Sequence, residues 1–162
     1  MRSLDVDHIL DIYNKKDYSN HFVDFNLKHK KLKTLTISSF SEFDFVKELI
    51  NKELKQIDEN YEVSEFITLL KYENGDFFNL HIDASSYKAT NTTTTILSGG
   101  CLLNTDYIGG DFIINKKLLD IKIGELFYFG RTEPHEITKV TNGIRLSLHF
   151  AVNTSYKEIS LI

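Results

Sequence analysis

The sequence predicts a mainly β protein, an α+β chain whose helices are gathered at its N-terminal end. Two observations carry that prediction. From Glu65 onward, short runs rich in Ile, Leu, Phe, Thr and Val are broken by Gly, Asn and Asp, the pattern of many short strands in a sandwich or barrel. Ahead of that point, most apolar residues recur at helical spacing. No internal repeat, low-complexity block or linker divides the chain. One domain is therefore expected over 1–162, with helices and flanking strands in 1–64 and the β core in 65–155.

Within 1–20, Leu4, Ile9, Leu10, Ile12 and Tyr13 fall at helical intervals behind Asp5 and Asp7, whose carboxylates suit a helix start. Alternation over 21–25 and 35–37 predicts two short strands, with the basic run 28–33 as a solvated turn between them. The clearest helix is 39–60. Phe45, Val46, Leu49, Ile50, Leu54 and Ile57 make one stripe, and Ser39 with Glu42 or Ser41 with Asp44 offers a capping box. Such a stripe is expected to pack on a sheet. Strands follow at 66–70, 77–83, 92–103, 111–115, 120–123, 125–129, 135–140 and 144–152. Gly109-Gly110 reads as a hairpin turn, and Ser98-Gly99-Gly100 marks a bulge or a close backbone approach.

Composition sets several classes aside. Hydrophobic content of 41% and charged content of 26% are ordinary for a globular chain, so no disordered or fibrous class is called for. A net charge of −4 supplies no basic surplus for a nucleic-acid backbone, and no nucleic-acid partner is expected. Cys101, the sole cysteine, has no partner for an intramolecular disulfide, which fits a reducing compartment. There is no apolar run of about 18 residues and no charged-then-apolar amino terminus. The expectation is a cytoplasmic protein without a membrane span.

The chemistry concentrates in three places. His81 and Asp83 alternate around Ile82, so on a strand an imidazole and a carboxylate share one face. His-x-Asp alone is common on surface strands. A second histidine, His135, completes two imidazoles and one carboxylate, the facial triad that leaves positions open on an octahedral ion; these donors by themselves fit Fe, Mn, Co, Ni or Zn. Further on, Arg145 and Ser147 alternate with Ile144, Leu146 and Leu148. A guanidinium fork with a hydroxyl beside it suits a carboxylate. A metal with open positions facing such an arginine fits a dicarboxylate that chelates with one end and is anchored by the other, namely 2-oxoglutarate.

The ordered set Tyr72-x-x-Gly75-x-x-Phe78-x-x-His81-x-Asp83, then Leu102-Leu103-Asn104, Gly109-Gly110-Asp111-Phe112, Gly124-Glu125-Leu126, Phe129, His135, Val140, Gly143 and Arg145 resembles the Fe(II)/2-oxoglutarate-dependent oxygenases, in their prolyl 4-hydroxylase-like branch. It covers roughly 66–152. The resemblance implies a double-stranded β-helix, or jelly-roll, fold. It implies His81, Asp83 and His135 as iron ligands and Arg145 on the distal carboxylate of 2-oxoglutarate, with Ser147 as its partner. The implied activity consumes 2-oxoglutarate and O2, releases succinate and CO2, and hydroxylates an unactivated C–H bond. Asp83 argues against the halogenating relatives, which carry a small residue there. Two departures weaken the prolyl assignment: many prolyl hydroxylases have lysine in place of Arg145, and a tyrosine near the cosubstrate where this chain has Cys101.

Tyr72 is expected to hydrogen-bond near the cosubstrate or to line the substrate pocket. His149 shares the Arg145 face and is expected in the cavity, outside the ligand set. Arg131 and the small polar loop 84–92 lie next to the site in sequence, where substrate recognition tends to sit. The substrate class is a prolyl or other residue of a protein or peptide; the alternatives are a free amino acid or small metabolite, or a non-enzymatic cupin-like metal- or ligand-binding module. A nucleic-acid demethylase of the same superfamily fits poorly, since the extra arginine-rich signature after the second histidine is missing.

Overall fold

The computed structural model describes residues 3–83 and 93–155. The loop 84–92, predicted to take part in substrate recognition, lies outside them.

The first helix, α1 (Val6–Lys15), starts where Asp5 accepts a hydrogen bond from the His8 amide at 3.1 Å, as the sequence suggests, and buries Val6 and Ile9. Strands β1 (Val23–Asn26) and β2 (Lys30–Thr36) form a hairpin. The basic run 28–33 is therefore mostly strand, a departure from the predicted solvated turn. Its lysines have partners at the sheet surface: Lys33 pairs with Glu73 at 2.7 Å, and Lys30 sits 4.1 Å over the Phe25 ring. The long helix α2 (Asp44–Ile57) buries Val46, Ile50 and Leu54 against the sheet. It begins without a side-chain cap, contrary to the capping box read from Ser39 or Ser41. The turns Ile37–Ser39 and Ser41–Phe43 wind as tighter helices and move the start to Asp44. Docking is polar as well as apolar, because Asn51 Oδ1 accepts from the Val63 amide at 2.8 Å.

The β core comprises β3 (Tyr61–Tyr72), β4 (Phe77–His81), β5 (Thr93–Leu102), β6 (Ile108–Gly109), β7 (Phe112–Ile114), β8 (Lys117–Leu118), β9 (Leu126–Gly130), β10 (His135–Ile137), β11 (Val140–Asn142) and β12 (Arg145–Ser155). All strand pairs are antiparallel, and the large sheet runs β8-β7-β10-β4-β2-β3-β12-β5-β9, with β1 on the side of β2. This sheet is curled. Phe112 on β7 packs at a tilt against Phe127 and Phe129 on β9 with ring centroids 5.4 and 5.5 Å apart, although those strands stand near opposite ends of the order. The result is a jelly roll with two cores. One lies between the helices and the outer face of the β2, β3, β12, β5 layer; the other fills the inside of the curl around Tyr72, Phe112, Phe129 and Ile137. β2 joins the centre of the sheet, so the strands of 1–64 are structurally part of the core.

Three local predictions are corrected. Gly109-Gly110 is no hairpin: β6 pairs with β11, about 30 residues later, in a separate two-stranded sheet. A Cβ on Gly109 would stand 2.1 Å from the Lys139 carbonyl oxygen, so this crossing of backbones demands glycine. The predicted strand 120–123 is displaced to β8, whose hairpin with β7 turns at Asn115 and Lys116, both with positive φ (51° and 64°). Finally, the predicted strand 135–140 splits into β10 and β11, which belong to different sheets. Ser98-Gly99-Gly100 resolves to the close approach: Phe150 covers Gly99 and Phe127 covers Gly100, while the irregularity of β5 lies opposite Val152 and Asn153.

Candidate metal centre

The turn after β3 sets up one end of the site. Asp76, 4% exposed, accepts from the Glu73 amide at 2.8 Å and fixes a turn around Gly75, whose φ is +91°. The chain then re-enters the sheet as β4. Pairing of β4 with β10 places His81 directly opposite His135. Asp83 follows at the strand end, held by its amide bond to the Arg131 carbonyl at 2.9 Å.

The two imidazoles are oriented alike. Nδ1 of His81 lies 2.7 Å from the Asn79 carbonyl and Nδ1 of His135 lies 2.8 Å from the Glu133 carbonyl. A carbonyl only accepts, so each Nδ1 carries the proton and each Nε2 presents a lone pair. Those Nε2 atoms lie 3.5 Å (His81) and 3.2 Å (His135) from Asp83 Oδ1. Metal–ligand bonds of about 2.1 Å meeting at right angles put neighbouring donors about 3 Å apart, close to the two histidine–carboxylate separations, and all three donor atoms lie within 4.8 Å of one another, so the triad suits one ion. Phe78 stacks on His81 at 3.6 Å between centroids and props the ring. Burial opposes ionisation of Asp83, but the imidazoles of His135, His149 and His81 outweigh it and hold the carboxyl well below the usual carboxylate range. Burial likewise opposes a charge on His135, yet Asp83 and the Glu133 carbonyl raise its pKa above the ordinary histidine value.

The other end is built by β3 and β12, whose register sets Arg145 opposite Tyr72. Arg145, 3% exposed, donates from Nη1 to Ser147 Oγ at 2.7 Å, and its Cζ stands 5.5 Å from the Tyr72 ring. Arg145 Nε and the Tyr72 hydroxyl are buried without a hydrogen-bond partner. Such groups are costly unless a ligand satisfies them. Burial pushes the Tyr72 hydroxyl upward in pKa and keeps it a donor. Between the two ends, Leu70, Phe112, Phe127, Phe129 and Ile137 wall an apolar cavity.

All six residues singled out from the sequence, His81, Asp83, His135, Arg145, Ser147 and Tyr72, line this one cavity, and His149 does too. Arg131 meets the backbone of Asp83, donating from Nη2 to its carbonyl at 3.4 Å. Cys101 is turned away: its side chain sits in the core beneath the helices, and burial pushes the thiol up to about 12. Tyr72 instead supplies the hydroxyl near Arg145. Sequence reasoning missed Ser98, which donates to Asp83 Oδ2 at 2.5 Å. The signal was present, since Ser98 and Gly100 alternate on one face of β5 while Gly99 and Cys101 take the other.

The family model described as "Poxvirus C4/C10 protein" matches residues 10–161. This chain belongs to that poxvirus C4/C10 family. The family's description is not that of an oxygenase family, and no curated protein matches. Solved structures similar to this C4/C10 chain include a 2OG-Fe(II) oxygenase and prolyl hydroxylases. A prolyl-4-hydroxylase of Pseudomonas putida superposes with TM-score 0.67 at 14% identity, over 95% of this chain and 87% of the other. A 2OG-Fe(II) oxygenase family oxidoreductase of Burkholderia pseudomallei gives 0.65 at 13%, over 81% and 71%. The viral collagen prolyl hydroxylase of Paramecium Bursaria Chlorella virus-1, solved with 2-oxoglutarate, gives 0.63 at 13%, over 95% and 92%. At these identities the likeness is one of fold, and the fold is the oxygenase jelly roll. Among the described residues no helix is long and apolar enough to cross a membrane.

Proposed function

We propose that this C4/C10 protein is an Fe(II)- and 2-oxoglutarate-dependent dioxygenase that hydroxylates an unactivated C–H bond on a prolyl or other residue of a protein or peptide. The observation that carries the reading is the pairing of a His-Asp-His donor triad with an unsatisfied anion-binding end across one apolar cavity. At one end stand two imidazole lone pairs and a carboxylate oxygen; at the other, a buried guanidinium Nε and a phenol hydroxyl lack partners. A purely structural barrel has no use for a charged fork aimed inward.

His81, Asp83 and His135 would hold the iron, which with 2-oxoglutarate and O2 supplies oxidative decarboxylation to succinate and CO2 coupled to hydroxylation. Arg145 grips the far carboxylate of the cosubstrate and Ser147 steadies the guanidinium at 2.7 Å. Tyr72 donates to the same carboxylate. Phe112, Phe127 and Phe129 keep water from the reacting centre and lower the local dielectric, strengthening that ion pair. The whole of 1–162 acts as one unit in this reading, in the cytoplasm, where Cys101 stays reduced.

The test is succinate release from 2-oxoglutarate by protein loaded with Fe(II) under air, first alone and then against peptide and amino-acid panels, with mass spectrometry for the gain of one oxygen. Slow succinate formation without a prime substrate is expected, and addition of the right peptide accelerates it. Tight 2-oxoglutarate binding with no succinate under any condition would reduce the protein to a cupin-like binding module. Acceleration by free amino acids but not peptides would move the substrate class to small metabolites.

A further inference from the structure

The carboxylate of Asp83 is held at both oxygens, and the two have separate neighbours. Oδ1 faces His135 and His81 at 3.2 and 3.5 Å. Oδ2 accepts from Ser98 Oγ at 2.5 Å and lies 3.3 Å from Nε2 of His149. The Nδ1 protons of His81 and His135 are fixed by backbone carbonyls, whereas among the described residues no carbonyl faces Nδ1 of His149, so its proton is placed on Nε2 and donated to Oδ2. The same nitrogen is then spent, and His149 falls outside the group of donors that lie within 4.8 Å of one another.

We propose that His149 is a positioning residue of the metal centre: with Ser98, it holds Oδ2 of Asp83 away from the ion, so that Asp83 coordinates through Oδ1 alone. The inference rests on the oxygenase reading. Its physical reason is the versatility of carboxylates, which bind metals through one oxygen or two. A second oxygen swinging inward would occupy a position the reaction needs open. One donor leaves an Oδ2 lone pair free to rotate toward the ion; two donors, arriving from neighbouring strands, fix the plane of the carboxylate. The fold makes room for the second donor. His149 on β12 lies opposite Gly100 on β5, which has no side chain of its own and leaves that face to His149 and Phe127, and Ser98 stands two residues along the same strand. Ser98 is 1% exposed, so its hydroxyl has little to do except hold Asp83.

Cobalt(II) alone is the probe, added to the full-length protein without cosubstrate. His149→Leu keeps bulk and removes the donor, His149→Gln restores one, and His149→Ala replaces the leucine variant should that fail to fold. Loss of such a supporting contact typically costs 10- to 100-fold in metal affinity. The expected result is Co(II) binding weakened about 10-fold or more in His149→Leu, with an altered visible d–d spectrum, and recovery of most of both in His149→Gln. Proton NMR of the Co(II) protein should show hyperfine-shifted exchangeable N–H signals from His81 and His135 only. An additional imidazole signal that vanishes in His149→Leu would make His149 a ligand and overturn the proposal. Wild-type affinity and spectrum in His149→Leu would overturn it too, while leaving the oxygenase reading intact. Failure of the wild-type protein to bind Co(II) at all would remove both.

Discussion

Arg145→Met separates the two ends of the cavity most sharply, because methionine fills the space of the side chain and removes only its charge and donors. Among the described residues the guanidinium has no carboxylate partner; it has only Ser147 and the Tyr72 ring. The ligand-free protein therefore carries a largely uncompensated buried charge, and its replacement by an apolar side chain of similar length leaves metal-free stability unchanged or raised. Ligand binding behaves in the opposite way. Two charge-assisted hydrogen bonds to a carboxylate, each near the low end of 1.5–3 kcal/mol, amount to about 3 kcal/mol, or roughly 150-fold in affinity. The assay is thermal unfolding with Mn(II), which does not turn over, and 2-oxoglutarate at about 100 times the wild-type Kd. Wild type gains about 2.7 kcal/mol, an upward Tm shift of roughly 5 to 10 °C for a chain of this size. The variant, with ligand below its own Kd, gains about 0.3 kcal/mol and moves by no more than about 1 °C. A full 2-oxoglutarate shift in Arg145→Met, or loss of the Mn(II) shift along with it, would refute the assignment of Arg145 to the cosubstrate.

The remaining predictions concern the triad, the thiol and the backbone crossing. Removing His81, Asp83 or His135 by alanine should abolish stoichiometric Ni(II) binding, and in wild type that binding should strengthen as pH rises from about 6 to 8, because the proton on His135 competes and is held above the ordinary histidine range; pH-independent affinity would count against these donors. Cys101 is held neutral to about 12 against 9.0 for a free thiol, so its contribution to stability is complete below pH 9 and is lost as pH climbs toward 12. Urea unfolding of Cys101→Val should accordingly lack the decline between pH 9 and 10, before Tyr18 and Tyr128, raised from 10.0 to about 12, begin to contribute. Gly109→Ala should cost about 2 to 4 kcal/mol by the same measurement, given a Cβ at 2.1 Å from the Lys139 oxygen and a φ of +77°; a loss of under about 0.5 kcal/mol, typical of surface sites, would mean the crossing is looser than described.

The parts of this molecule that were legible from sequence are those specified by spacing. His81 with Asp83 and Arg145 with Ser147 alternate on strands, so each pair shares a face whatever the tertiary arrangement. Asp5 caps α1 through a contact three residues away. What escaped depends on distant partners. Gly109-Gly110 has the composition of a hairpin, and only the approach of β11 reveals why glycine is required there. The turn at Asn115-Lys116 uses left-handed backbone at a lysine, a residue type that gives no warning of it. Lys30 to Lys33 read as a loop because their partners, Glu73 in the turn after β3 and the Phe25 ring on β1, lie outside the run itself. Ser98 sits on a strand face that alternation reveals, but its acceptor lies 15 residues away, so nothing local tied it to the site.

The central place of β12 has a consequence for how this protein is made. Among the described residues it is the last strand, yet it stands between β3 and β5 in the interior of the large sheet, forming ladders to both. Without it, β3 and β5 each lack a partner on that side, and open strand edges invite association with other chains. Assembly must wait for a long-range closure, the kind that slows folding most. The strand that carries Arg145 is thus also the keystone of biogenesis, and a substitution along it is expected to lower yield in the cell as well as to alter the cavity.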